Sequence, residues 1–300
     1  MSTVAIALLL MAALRISTPY ILASMGGLFS EISGVQNIAL EGYMLVGAFS
    51  AVVGSYFTGN PWVGLLLAGI GGMLFSAIHA VVCIYMKGNQ IVSGIALNIL
   101  GAAITYVLLS IIFEGFGTSP KVTKLPQWTI PGTEISFNPL LYMLPIVVVL
   151  TWLILYKTPL GIKMRSVGEY PRAADTVGIN VYRTRFIAVL ITGFLTGLAG
   201  AHLSIGEGSA FVAYMANGRG YIAIAAIIFG NWKPSGALIG SLIFGLAEAV
   251  QITLSGAKIG EFKIPNDFVQ MIPYIITILV LVLYKGRSRG PAASGVAYEK

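Results

Sequence analysis

The chain has 300 residues, 57% of them hydrophobic and only 10% charged, against roughly 25% charged in an ordinary soluble domain. That composition excludes a water-soluble fold, and the formal charge of +7 is spread over loops between apolar runs, which fits membrane topology rather than nucleic acid. A single cysteine, Cys83, lies inside an apolar run, so an internal disulfide and a cysteine-based metal site are excluded.

In chain order, crossings are predicted near residues 4–28, 37–57, 61–86, 91–113, 139–156, 186–205, 211–230, 236–254 and 268–284, each sized for the roughly 20 helical residues of a bilayer core. The fold class is therefore all-α: one transmembrane helical bundle over 1–300, with about nine spans and a range of eight to ten. The first run has no basic region before it and no small-residue cleavage site, so it is expected to stay on the protein. The seventh is interrupted by Asn217, Gly218, Arg219 and Gly220, which leaves Tyr221 to Phe229 as its unbroken apolar part. Nine helical residues cover about 14 Å, half a bilayer. This predicts a discontinuous helix whose break is shielded by protein or faces a water-filled cavity, a feature of transport routes. Gly193 with Gly197, and Gly236 with Gly240, are spaced four apart and predict close helix packing.

Sides follow from the basic residues. Lys87, the loop 157–185, Lys233 and the tail 285–300 fall on one face by counting crossings, and the opposite face holds Glu114, Glu134, Glu207, Glu261 and Asp267. The positive-inside rule makes the first face cytoplasmic, with the N-terminus outside and the C-terminus inside.

The chemistry of the chain is sparse. It has no G-x-x-x-x-G-K-[ST] run to cradle phosphates, and His79 and His202 stand apart with no cysteine cluster or H-E-x-x-H, so neither a metal site nor a catalytic constellation is expected. Polar groups inside spans are expensive, and each is a pathway candidate by default. They are Glu41, Asn98, His79, His202, Arg219, Glu248 and Gln251, with Glu248 deepest and its buried carboxyl either neutral or paired, Arg219 being the candidate partner. Hydrogen bonding between neighbouring helices is the competing explanation for each.

The loop 157–185 contains RSVGEYPRAADTVGINVYRTR from Arg165 to Arg185. Pro171 suits a first helical turn and Gly178 a C-terminal stop, so a helix of about two turns is predicted between them. It is too short to persist alone in water, and something must hold it. A solvated basic loop is one reading; a helix that docks into a partner protein is the other.

The stretch GEYPRAADTVGINV (Gly168–Val181) resembles the cytoplasmic coupling region of permeases from bacterial ATP-binding cassette importers of the ribose and branched-chain amino acid type. GLFSEISGVQNIALEGYMLVGAF (Gly27–Phe49) and GRGYIAIAAIIFGNWKPSGALIGSLIFG (Gly218–Gly245) agree, in the same order, and KGNQIVSGIALNIL (Lys87–Leu100) with SGVQNIALEG is most similar to the nucleoside-uptake branch. The resemblance implies a multi-pass permease of the bacterial cytoplasmic membrane, not itself an enzyme, that moves nucleosides inward. It implies a second, homologous permease in a heterodimer, a cytoplasmic ATPase with two cassettes that holds ATP and Mg, and an external substrate-binding lipoprotein; this chain binds no cofactor. It also implies that Gly168, Glu169, Pro171, Arg172, Ala173, Ala174, Asp175 and Gly178 couple the chain to the ATPase, with Ala174 and Gly178 permitting close approach. Two positions depart from the family's usual pattern, Ile32 after Glu31 and Tyr170 after Glu169. A sugar or branched-chain amino acid permease of the same superfamily is the alternative, and an ion-coupled secondary carrier a second one; a membrane enzyme is disfavoured by the missing catalytic clusters.

Overall fold

Asparagine and proline set most of the helix starts. Asn60, Asn138 and Thr158 each precede a proline in the first helical turn, where its missing N–H is not needed, and each side chain accepts a backbone N–H of that turn. Asn89 and Asn180 cap two further helices in the same way. A computed structural model, which describes residues 3–129, 136–255, 258–259, 262–263, 269, 271, 275–276, 278 and 289–299, arranges the helices as α1 (Thr3–Ile32), α2 (Leu40–Thr58), α3 (Pro61–Ala80), α4 (Gln90–Phe113), α5 (Pro139–Lys157), α6 (Pro159–Glu169), α7 (Pro171–Thr176), α8 (Val181–Ala201), α9 (Arg219–Phe229) and α10 (Pro234–Leu254). α3 and α8 each run on into a π-helical turn, Val81–Tyr85 and His202–Glu207. Two short hairpins, Trp128–Thr129 with Ser136–Phe137 and Lys258–Ile259 with Phe262–Lys263, are the strands among the described residues.

The all-α reading holds. Among the described residues seven helices, α1 to α5, α8 and α10, are long and apolar enough to cross a membrane. The predicted span 211–230 is instead a run of turns followed by the 11-residue α9, which is the predicted break. The predicted ninth span, 268–284, lies largely outside the described residues, as do Glu134, Glu261, Asp267, Lys285 and Arg287.

α2 is the inner helix, buried over most of its length, and α4 and α5 are the most exposed spans. α3 and α8 flank α2 and pack on each other, while α10 lies along α1 and α9. Small residues make this possible. A Cβ on Gly197 would meet the Ala68 carbonyl, one on Gly193 would meet Ser76 and Gly72, and one on Gly47 would meet the backbone of Gly197. Gly236 and Gly240 serve α10 likewise, against Gly230 and Ala226. The four-residue glycine spacing is therefore packing.

The basic loops gather at one end. The α1–α2 turn, Lys87, α6, α7, the α9–α10 turn and residues 289–299 are joined there by hydrogen bonds and an ion pair, and 205–213 meets 119–125 at the other.

α7 begins at Pro171, and Gly178 takes the left-handed conformation (φ 84°) that stops it, as the sequence predicts. α6 was not predicted; Thr158 before Pro159 is the signal that marks its start.

Adding a branched side chain at Gly197 should force α3 from α8. Gly197→Val is expected to destabilise the detergent-purified protein by about 1–3 kcal/mol, the usual range for overpacking, measured as an earlier thermal aggregation onset than Gly115→Ala, whose site is open enough for a Cβ.

Candidate functional site

The break before α9 leaves the N–H groups of its first turn without helical partners. Glu41, in the first turn of α2, supplies them: its carboxylate accepts from the Gly218 N–H and the Gly220 N–H, each at 2.7 Å. Negative charge is favoured at a helix N-terminus. Gly218 sits at φ 82°, and a Cβ on Gly220 would meet the backbone of Glu41, so both glycines are required by this joint. Asn98 of α4 completes it, donating to the Ile38 carbonyl and the Tyr221 hydroxyl at 2.9 Å each and accepting from the Gly42 N–H at 2.8 Å. Glu41 and Asn98 line a cavity of about 290 Å³ with Tyr214, Asn217 and Tyr221.

The other face of the break carries charge. Arg219 Nη2 lies 2.8 Å from Glu248 Oε1 on α10, which is the paired one of the two alternatives the sequence leaves open, and the Tyr20 hydroxyl of α1 donates to the second carboxylate oxygen. Beyond Arg219 opens a larger cavity, about 520 Å³, with Arg15, Ser136, His202 and Glu207 as its other polar walls and Leu8, Met11, Ile16 and Leu203 among its apolar ones.

His202 is held by a consequence of Pro19. Proline has no N–H for the carbonyl four residues earlier, and the freed Arg15 carbonyl receives His202 Nε2 at 3.2 Å. A carbonyl only accepts, so Nε2 carries the hydrogen, and Nδ1 accepts from Asn138 Nδ2 at 3.2 Å. The same amide group donates to Glu207 Oε1 at 3.0 Å. Arg15 donates to the Ser136 carbonyl at 2.6 Å and lies over the Phe137 ring.

The structure thus distributes the sequence candidates. Glu41 and Asn98 line one cavity, His202 and Arg219 the other, and Glu248 stands behind Arg219. Gln251 is half-buried on α10, outside both walls. His79 is buried against Ser93 and the Gln36 carbonyl, beside Cys83, and serves packing. Sequence reasoning missed Arg15, Tyr20, Asn138 and Glu207. Arg15, an arginine inside an apolar run, carries a signal; Glu207 falls beyond the predicted span 186–205, because the π turn that places it at the cavity has no sequence signature. Among the described residues no group of three or more His, Cys, Asp or Glu comes together to hold a metal ion.

At the basic end α7 is seated, not free. Ala174 is buried against Val167, Val181 and Tyr298, so it anchors α7 instead of offering a surface for close approach. Arg172 and Ala173 are exposed, as are Tyr170 (68%) and Val177 (74%). Gly168 lies against the 32–34 turn with no room for a side chain, and the exposed Glu169 accepts from the Ala292 N–H at 3.3 Å. Asp175 is half-buried beside Tyr298; burial, then the hydrogen bond and charge of Asp175, push the Tyr298 hydroxyl pKa up.

Residues 9–281 match the family model described as branched-chain amino acid transport system / permease component. The chain is 41% identical to the guanosine ABC transporter permease protein NupQ of Bacillus subtilis (96% of this chain, 95% of that one). It is 38% identical to the nucleoside ABC transporter permease protein NupC of Lactococcus lactis (95% and 94%). It is 39% identical to the putative glucose ABC transporter permease protein TsgC13 of Haloferax volcanii (81% and 77%).

Removing one partner of a part-buried ion pair leaves the other uncompensated. Arg219→Met is expected to destabilise the purified protein by about 3 kcal/mol, and Arg219→Met with Glu248→Met to recover most of that in thermal unfolding. A double variant no more stable than the single one would show that the pair is not what holds the break.

Proposed function

The chain belongs to the branched-chain amino acid transport permease family, and from that premise we propose that it carries nucleosides inward. It is a membrane-spanning permease subunit of an ATP-binding cassette importer, a transport component and not an enzyme, and it resides as a multi-pass protein in the cell membrane. An ATPase and a substrate-binding protein are its partners by family. The finer assignments are our reading: a second, non-identical permease beside it, an ATPase of two cassettes holding ATP and Mg, a lipoprotein that delivers the nucleoside, and no cofactor on this chain. In the same reading the basic end, with α7, faces the cytoplasm and the N-terminus lies outside.

The observation that carries the cargo is the pair of full-length relatives named for guanosine and nucleosides. The larger cavity supports it. Arg15, Glu207 and Arg219 offer charged hydrogen-bonding groups, and Leu8, Met11 and Ile16 an apolar wall, the mixture that a ribose and a flat base require. The relative named for glucose favours a sugar as the second reading, since the same polar groups would serve its hydroxyls.

In this reading the exposed face of α7, Arg172 and Ala173 with Tyr170 and Val177, meets the ATPase. Pro171 and Gly178 fix the ends of the helix, while Ala174, Asp175, Gly168 and Glu169 hold it to the bundle. The route out of α7 is direct. α8 begins after the Gly178 stop and rises about 30 Å to His202 at the cavity. A second route runs through Gly168 to the α1–α2 turn and on to Glu41 at the break. Movement of the docking helix therefore reaches both cavities through rigid elements.

Uptake by cells expressing this chain with its partner subunits tests the proposal. Radiolabelled guanosine is expected to enter, unlabelled glucose not to compete, and Ala173→Glu or Val177→Glu to abolish entry at unchanged membrane levels. Entry of glucose alone would retain the machine and replace the cargo.

A further inference from the structure

The segment 289–299 has no regular helix or strand, yet it is fastened at intervals. The Arg289 N–H donates to Asn231 Oδ1 at 3.1 Å, the Ala293 N–H to the Gly168 carbonyl at 2.9 Å, the Gly295 N–H to the Gly34 carbonyl at 3.3 Å, and Lys87 pairs with Glu299 at 3.0 Å. These partners lie on three separate loops of the basic end and on the last turn of α6. The segment is a strap across them.

Arg185 shows how firmly the strap is held. It is 2% exposed, its Nε donates to the Ser33 carbonyl at 3.1 Å and its Nη1 to the Val296 carbonyl at 3.0 Å. Burying a cation is expensive unless its donors are satisfied; the α1–α2 turn supplies the acceptor for Nε and the strap the one for Nη1, while Nη2 has no hydrogen-bond partner among the described residues. Tyr298 adds an apolar anchor, turned inward onto Ala174 and Val181 with its ring edge-on to Tyr182.

The anchoring leaves other side chains outward. Val296 is 58% exposed although its carbonyl is tied down. Val296, Ala297 and Glu299 form one wall, and Tyr170, Arg172 and Ala173 the other, of a cleft of about 560 Å³ that runs between the strap and α7. Ala173, Val296 and Ala297 give it an apolar lining, and Arg172 and Glu299 bring charges of opposite sign to it. Backbone tied to the loops and apolar side chains directed away from them describe a surface built to be met.

We propose that residues 289–299 are the second half of the ATPase-docking surface, and that the cleft between Ala173 and Val296 seats an apolar side chain of the ATPase subunit. The proposal rests on the reading that α7 docks the ATPase, because the strap is continuous with that helix and forms the facing wall of the same cleft. It extends the interface to residues outside the coupling loop. The strap also fixes α7 through Tyr298, so the subunit that grips the cleft grips both.

Cys83 is the chain's one cysteine and is buried, which permits selective labelling in the assembled transporter. Val296→Cys, Ala297→Cys and Ala173→Cys would each be coupled to a maleimide benzophenone and irradiated in membranes. All three are expected to crosslink to the ATPase subunit. Val296→Arg should lower the amount of ATPase subunit that copurifies by roughly tenfold, a modest interface loss, at unchanged membrane levels. Crosslinks from Ala173 but from neither strap position, with Val296→Arg copurifying normally, would overturn the proposal and leave docking to α7 alone. Absence of crosslinks from all three would overturn the docking assignment of α7 itself, and the strap's with it.

Discussion

Backbone groups at bilayer depth have no water to turn to, and the structure depends on how side chains meet that constraint. Two interruptions show the same solution. Where the chain breaks before α9, the Glu41 carboxylate takes two N–H groups; where Pro19 withholds an N–H, the Arg15 carbonyl receives His202. Each repair joins elements remote in sequence, α2 to α9 and α1 to the end of α8. The breaks are thus the points at which separate helices are bound together, and both cavities open beside them.

Between the breaks the bundle is held by close approach. The α2, α3 and α8 faces meet through Gly47, Gly72, Gly193 and Gly197, where lipid offers no hydrophobic drive between helices and backbone contact must supply the attraction. This explains how a chain with few charged side chains in its spans still has a buried central helix; Arg15, Glu41, Arg219 and Glu248 stand beside the interruptions.

Much of this was legible in the sequence. Pro171 and Gly178 mark α7 because proline and glycine act on the backbone locally, and the Asn217–Gly220 break is visible for the same reason. The Glu248–Arg219 pair follows from the high cost of lone charges in apolar surroundings. What sequence could not show depends on register or on distant chain. Ala174 has the composition of a docking face, and only the fold turns it inward onto Tyr298, 124 positions away. Glu207 reads as loop until a π turn carries it to the cavity, and the strap at 289–299 has no periodicity at all; its order comes from partners on three other loops and the end of α6.

The inward turn of Ala174 has a mechanical consequence. A docking helix that offered its whole circumference to a partner could move alone, as a lever on two flexible joints. α7 cannot, because Ala174 is buried against Val167 of α6, Val181 of α8 and Tyr298 of the strap, and separating them would expose apolar surface to water. A force on the outer face of α7 must therefore displace α6, α8 and the strap with it. α8 is one unbroken helix up to the π turn, and the first departure from regular winding it offers is at His202, on the wall of the larger cavity. Shortness, which makes α7 unstable by itself, is what makes it useful here: a helix held wholly by its neighbours passes on whatever moves it.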